Sequence, residues 1–305
     1  MAVPSIKTDS FTSGSTLPHE LSEEIWAKVL DGSKVMQLAR RVPVAGTGSD
    51  FQLITSEPVA EWVNEGAAKA VASHTVDIKP MTPHKCAVIE CFSNELRDDD
   101  EALYNALVNR LPYAITKKFD KEVFSASTTL QNFDVLGGIS QAQDIDTNVY
   151  DGFVKADSMI SEADGLMNGI VLSPKGKSKV LLSKDTQGRP IFLKDVNAEG
   201  SVYNILGAPV SFCKDAYVAG SPAQLGIAGD WNSACYGIAK DIEIKVSDQA
   251  NITSGSETLS LWQSNMFAVL VEFRIGFRIS FPEHFVRLTG TPVTANVNDK
   301  KKAEK

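Results

Sequence analysis

From Phe267 to Phe281 every second residue is apolar: Phe267, Val269, Val271, Phe273, Ile275, Phe277, Ile279 and Phe281. Between them stand Glu272, Arg274, Arg278 and Ser280. Side chains alternate across a strand, so this spacing predicts one long strand with a buried face and a wet face. At ~3.4 Å per residue the run extends about 50 Å, against a usual length of about five or six residues. A second alternating stretch, Asp241 to Ser247, precedes it.

The strongest helical signal lies between Asp99 and Phe124. Asp98, Asp99, Asp100 and Glu101 crowd its start, where negative charge meets the positive end of the helix dipole. Leu103, Leu107, Leu111, Ile115 and Phe119 recur every four residues. Such a helix spans roughly 39 Å at ~1.5 Å per residue, and Pro112 in its middle predicts a kink. A strand and a helix of this length describe an elongated slab, whose extremities have little core of their own.

Other segments read more simply. Residues 5–16 form a polar, extended arm, and Glu20 to Leu30 has helical spacing ending at Gly32. Between Phe51 and Pro83, short alternating pieces such as Thr75 to Lys79 are split by Pro58, Gly66 and Pro80, which suits a projecting hairpin. Lys85 to Cys91 reads as a strand. The stretch 128–150 is a polar crossing into a second, mixed helix-and-strand region that holds Ile170 to Leu172 and Ile205 to Val210. After Gly290 the tail is expected to be disordered.

Composition excludes several classes. The 305 residues carry a formal net charge of −8, and the longest apolar run, Met266 to Val271, is far short of the ~20 residues that span a bilayer. The start lacks the pattern of a secretory signal, and four cysteines are too few for a disulfide scaffold. The expected setting is the cytoplasm, with no membrane partner. A surplus of acid argues against a dedicated nucleic-acid binder, because phosphate binding needs excess Lys and Arg.

Catalytic and ligand motifs fail on spacing. Gly169 to Ser178 puts six residues between its glycine and Gly176-Lys-Ser, where a phosphate loop needs four, so it reads as a surface turn. His84 and Cys86 supply two ligands where zinc wants three or four. Cys86 and Cys91 fall on opposite strand faces, and the cysteines read as buried free thiols. No cofactor, metal or enzymatic activity is expected.

The segments in this order resemble the major capsid proteins of tailed bacteriophages, with the Hong Kong 97 phage-type (HK97-like) fold. Trp62 to Lys69 looks like that family's extended E-loop, and Asp99 to Phe124 like its spine helix. Leu172-Ser-Pro174 with Leu181 to Phe192 is similar to its axial-domain pattern. Leu206 to Val210, Gly229-Asp-Trp231, and Asn265-Met266 running on to Pro282-x-x-Phe285 resemble further landmarks, the last of them the closing strand of the peripheral domain. The resemblance implies an α+β fold divided into an N-terminal arm (1–43), an E-loop hairpin (44–83), a peripheral domain (84–128 and 236–290), an axial α/β domain (129–235) and a C-terminal tail (291–305).

By the same resemblance, the chain assembles with itself as hexamers and pentamers into an icosahedral shell. The shell encloses double-stranded DNA without sequence-specific binding and is built in the host bacterial cytoplasm. A chain that begins almost at the arm is expected to have no room for a scaffolding region, which implies a separate scaffolding protein or assembly without one. A portal and decoration proteins are further expected partners. Some members join subunits by a lysine–asparagine isopeptide bond assisted by a glutamate, and Lys69, Asn265 and Glu272 stand at similar positions. A desolvated glutamate is the base this reaction wants. The alternatives are an encapsulin-like compartment shell of the same fold, and a soluble mixed α/β enzyme.

Overall fold

The computed structural model describes residues 32–56, 62–64, 75–95, 110–184, 203–254 and 257–291. Its helices are α1 (Lys34–Leu38), α2 (Leu111–Val123), α3 (Val149–Glu162) and α4 (Pro174–Leu182). The first seven strands are β1 (Arg40–Pro43), β2 (Ser49–Ser56), β3 (Thr75–Met81), β4 (His84–Ser93), β5 (Ala142–Asp144), β6 (Gly169–Leu172) and β7 (Tyr203–Ile205). They are followed by β8 (Ala208–Phe212), β9 (Ala223–Gly229), β10 (Ala234–Ser247), β11 (Asn251–Ser254), β12 (Glu257–Ser260), β13 (Met266–Ile279) and β14 (Phe285–Gly290). No helix among the described residues is long and apolar enough to cross a membrane.

The long alternating run is β13, one of the two inner strands of a four-stranded sheet ordered β1-β10-β13-β4. It pairs antiparallel with β10 on one side and β4 on the other along most of its length. Its odd-numbered residues, Phe267 to Ile279, are all buried beneath α2 and the loop after it. Phe119 of α2 meets Phe277 and Phe133 edge-on, with ring centroids 6.3 Å apart in both pairs. The sheet's apolar face is therefore covered within the chain.

The other face of β13 is not wet. None of its even-numbered residues is exposed. Gly237 of β10 and Gly276 of β13 are cross-strand partners, and Met81 at the end of β3 lies on them, fully buried. A Cβ at Gly276 would stand 2.7 Å from Met81 Cγ, and one at Gly237 would stand 2.1 Å from Val44 Cγ2. Lys79 Nζ donates to the carbonyls of Ile279 and Ser280 at 3.2 and 2.8 Å. The glycine pair thus makes a socket in which the root of the β2–β3 hairpin seats.

The described part of the expected spine helix is α2, and the stretch 96–109 lies outside the described residues. Pro112 occupies the first turn of α2 rather than a helix middle. There its missing N–H costs no intrahelical bond, and its carbonyl accepts the Thr116 hydroxyl at 2.9 Å. The helical spacing of Glu20 to Leu30 also falls outside the described residues.

A six-stranded sheet, β5-β14-β9-β6-β8-β7, forms the second body. One of its faces packs on α3 and α4 through Phe153, Ala156, Ile160 and Val180. Its other face contributes Val171, Ile227 and Phe285, with Trp231 from the turn after β9, to the same core as the first sheet. Trp231 fixes the junction: its indole N–H donates to Gly169 O at 3.1 Å, and its ring meets Phe285 edge-on at 5.5 Å. Strand β14, expected from sequence in the peripheral segment, belongs to this second sheet, while β1, expected in the arm, belongs to the first. Pairing decides both, and pairing partners lie far away in sequence.

Gly169 to Ser178 is neither a phosphate loop nor a surface turn. It is the buried strand β6 leading into α4, with the Ser173 hydroxyl accepting from Gly176 N–H at 3.1 Å. Gly176 lies against Leu225 O, where a Cβ would stand at 2.6 Å.

Filling the socket is the decisive packing test. Gly276→Ala is expected to lower stability by about 1–3 kcal/mol, the usual cost of overpacking. It should also speed proteolysis within the hairpin, as read by urea midpoints and limited digestion.

Candidate assembly surfaces and the expected crosslink residues

The hairpin beyond its root has little to pack on. Val76 and Ile78 of β3 are 52% and 57% exposed, although β-branched residues of this kind normally line a core. Phe51, Leu53 and their cross-strand partners Lys79 and Asp77 take the other face. An isolated two-stranded ribbon is marginal in water, so this one needs a further surface. On the first sheet, Ile89 of the edge strand β4 is 53% exposed and pairs with Leu270 of β13. Trp262, in the turn before β13, is also exposed.

Next to Leu270 on the same face lies a charge network. Glu272 is 7% exposed, and Glu243 stands directly across from it on β10. Two carboxylates placed so would repel each other. Three lysines reconcile them: Lys85 meets Glu272 at 2.9 Å, Lys245 meets Glu243 at 3.1 Å, and Lys240 bridges both. The hydrogen bonds from Lys85 and then Lys240 draw the Glu272 carboxyl down to about 2. Glu243 is likewise lowered, chiefly by Lys240.

Of the expected crosslink residues, Asn265 and Glu272 do not stand together in the chain. Lys69 lies outside the described residues. Asn265 sits in the turn before β13 with φ +50, and its side-chain oxygen accepts from the Asn94 amide at 3.0 Å. Glu272 is seven residues further along β13, about 24 Å away at ~3.4 Å per residue. Its lysine partners also reverse the expected electrostatics, because a carboxyl held near 2 is a weak base for a lysine ammonium. Desolvation would have raised it, but Lys85 outweighs that effect.

One joint was not foreseen. Asp120 of α2 is 2% exposed and accepts from Ser33 Oγ at 2.5 Å and from Lys34 N–H at 3.0 Å. Ser33 is also the N-cap of α1, donating to Asp120 while accepting from Met36 N–H at 3.1 Å. The Cys213 thiol lies 4.0 Å from the same carboxylate. Asp120 thereby ties α1, α2 and the turn after β8 into one junction. Burial pushes its carboxyl up to about 6 against the pull of those hydrogen bonds, with Asp215 adding to the rise. The partners are 87 and 93 residues away, so no local pattern betrays the site.

The cysteines are free, with Cys213 and Cys235 buried and Cys86 and Cys91 half-buried. Burial raises the thiols of Cys86, Cys213 and Cys235, which keeps them protonated. Among the described residues, no cluster of His, Cys, Asp or Glu could hold a metal ion.

A family model described as the phage capsid family matches residues 13–290. The chain belongs to the phage capsid family. It is 26% identical over 305 residues to a "Probable major capsid protein" of Mycobacterium phage L5, a match covering 94% of this chain and 92% of that protein. The major capsid protein of Staphylococcus phage 80alpha is 24% identical over 285 residues, covering 90% and 84%. Among solved structures, a chain of Mycobacterium phage Adephagia superposes with a TM-score of 0.71 at 19% identity, covering 87% of this chain and 91% of its own. A chain of Microbacterium phage Oxtober96 gives the same TM-score at 17% identity, covering 95% and 96%. These likenesses establish the HK97-like capsid fold. They do not favour the encapsulin-like alternative.

The two carboxyls make opposite demands on pH. Glu272 has a folded-state value below its unfolded one, so its contribution is full above about 4.5 and is lost as pH falls toward about 2. Asp120 has a raised value, so its contribution weakens stability as pH rises from about 4 through about 6. Glu272→Gln should flatten the acid limb of a stability-versus-pH curve, and Asp120→Asn the limb between pH 4 and 6. Thermal melts across this range check both; a limb that persists unchanged contradicts the corresponding assignment.

Proposed function

We propose that this capsid-family chain is the major head subunit of a tailed phage, assembling as hexamers and pentamers into an icosahedral shell around double-stranded DNA. The observation that carries this reading is the β2–β3 hairpin: its root is locked into the subunit, while Val76 and Ile78 are left bare on a ribbon too thin to bury them. Surfaces of this kind are completed by a neighbouring copy. The exposed Ile89 beside Leu270, and the solitary Trp262, offer apolar ground for such contacts.

In this reading the arm is 1–43 and the projecting loop 44–83. The peripheral domain comprises 84–128 with 236–284, and the axial domain 129–235 with β14 added. The protein is a virion component built in the host cytoplasm, and it acts by packing rather than by turnover. A separate scaffolding protein, a portal and decoration proteins complete the assembly. Joining of subunits through Lys69 and Asn265 is not favoured, because Glu272 is committed to its lysines.

Negative-stain microscopy of the expressed chain is the direct test. Closed shells or ring-shaped capsomers are expected, and a preparation of monomers alone would overturn the reading. Heads purified with their DNA, boiled and reduced, should run as one band near the chain mass of 33.0 kDa; a ladder of multimers would restore the crosslink.

A further inference from the structure

The solvent side of α2 carries a positive stripe. Arg110, Lys117 and Lys121 are seven and four residues apart, a spacing that puts them on one line about 16 Å long. All three are exposed, and among the described residues none has a carboxylate in ion-pair range. Lys118 flanks the stripe and shares Glu122 at 3.7 Å. The acids of this helix are turned to other uses. Asp120 points inward to Ser33, and Glu122 also accepts the Thr128 hydroxyl at 2.6 Å.

The opposite side of the same sheet is different. There Lys85, Lys240 and Lys245 each lie against Glu272 or Glu243, so three lysines share two carboxylates and most of their charge is offset locally. That side also holds the hairpin root. The α2 stripe, by contrast, keeps its charge open to solvent in a chain that carries −8 overall.

We infer that the α2 stripe faces the inside of the shell and touches the phosphate backbone of the enclosed duplex DNA. The inference rests on the shell reading above and goes beyond it by assigning a face and three contact residues. Duplex DNA presents one negative charge per ~1.7 Å, so a 16 Å stripe lies along roughly ten phosphate charges. Contacts of this kind carry no sequence information; they position the polymer and weaken with salt. The acid-rich remainder of the chain keeps adhesion local, so DNA is guided along the wall without being gripped by it.

Lysine footprinting tests the assignment on the assembled particle. DNA-filled heads and the same heads emptied of DNA are acetylated briefly, and each lysine is quantified by mass spectrometry. Lys117 and Lys121 are expected to be modified several-fold less in filled heads, with Lys245 equal in both. Equal modification of Lys117 and Lys121 would overturn the inference. Protection confined to scaffold-containing precursors would overturn it too, assigning the stripe to a protein instead.

A second arm uses capsomers carrying Arg110→Gln, Lys117→Gln and Lys121→Gln together, titrated with a short duplex over a range of salt. The slope of log K against log salt should fall by about 2 to 3 relative to the unaltered capsomers, at ~0.9 per phosphate contact. An unchanged slope counts against the stripe. If the chain forms no DNA-containing heads at all, the shell reading fails first; heads that fill and label evenly refute only the face assignment.

Discussion

Strand β13 is buried on one face and covered on the other, with none of its residues exposed, and the arrangement of the subunit depends on it. Its odd-numbered residues build the core beneath α2, and its even-numbered residues carry the Glu272 network and the glycine socket. A central antiparallel strand usually gives one face to water. Here the second face is closed by side chains brought from elsewhere: Met81 from the hairpin, Lys85 from β4, and Lys240 and Lys245 from β10. Glu272 and Arg278 among the even positions are therefore not solvated spacers but connectors, each with a partner from another strand or loop. Arg278 illustrates this at the end of the strand, donating to Asp134 at 2.9 Å while Ile279 N–H donates to the same carboxylate.

What could be read from the sequence follows from which forces are local. Alternation along β13 and β4, and the spacing of Leu111, Ile115 and Phe119, are set by the repeat of a single strand or helix, and both elements form where the pattern places them. The hairpin was visible for the same reason, through strand pairing over a short separation. The glycine socket was not, because Gly237 and Gly276 acquire meaning only when the β10–β13 register sets them side by side. Glu272 looked like a wet residue in an alternating strand, and nothing nearby announced the lysines that cover it. Asp120 lies outside the apolar repeat of its helix and becomes a buried joint only because Ser33, 87 residues away, closes over it.

The division of labour between private and shared surface is also clearer than the sequence suggested. The length of β13 implied a slab poor in core, yet the two sheets meet around Trp231 and Phe285 and bury a common interior within one chain. Apart from single residues on the outer sides of helices, such as Tyr113, Val154 and Leu182, the bare apolar residues among those described lie on the hairpin, the edge of β4 and a few turns. Such a subunit folds by its own contacts and keeps only its margins for its neighbours. Association of preformed subunits then costs mainly rotational freedom and the ordering of those margins.

The clamp formed by Lys79 has a mechanical consequence. Its two acceptors, Ile279 and Ser280, lie where the chain leaves the first sheet, a few residues before β14 enters the second. Ser280 N–H in turn donates to Ser233 O at 2.7 Å, just ahead of β10. The hairpin is therefore a lever whose fulcrum is the crossing between the sheets. A sideways load on the hairpin is delivered as torque to the crossing between the two sheets.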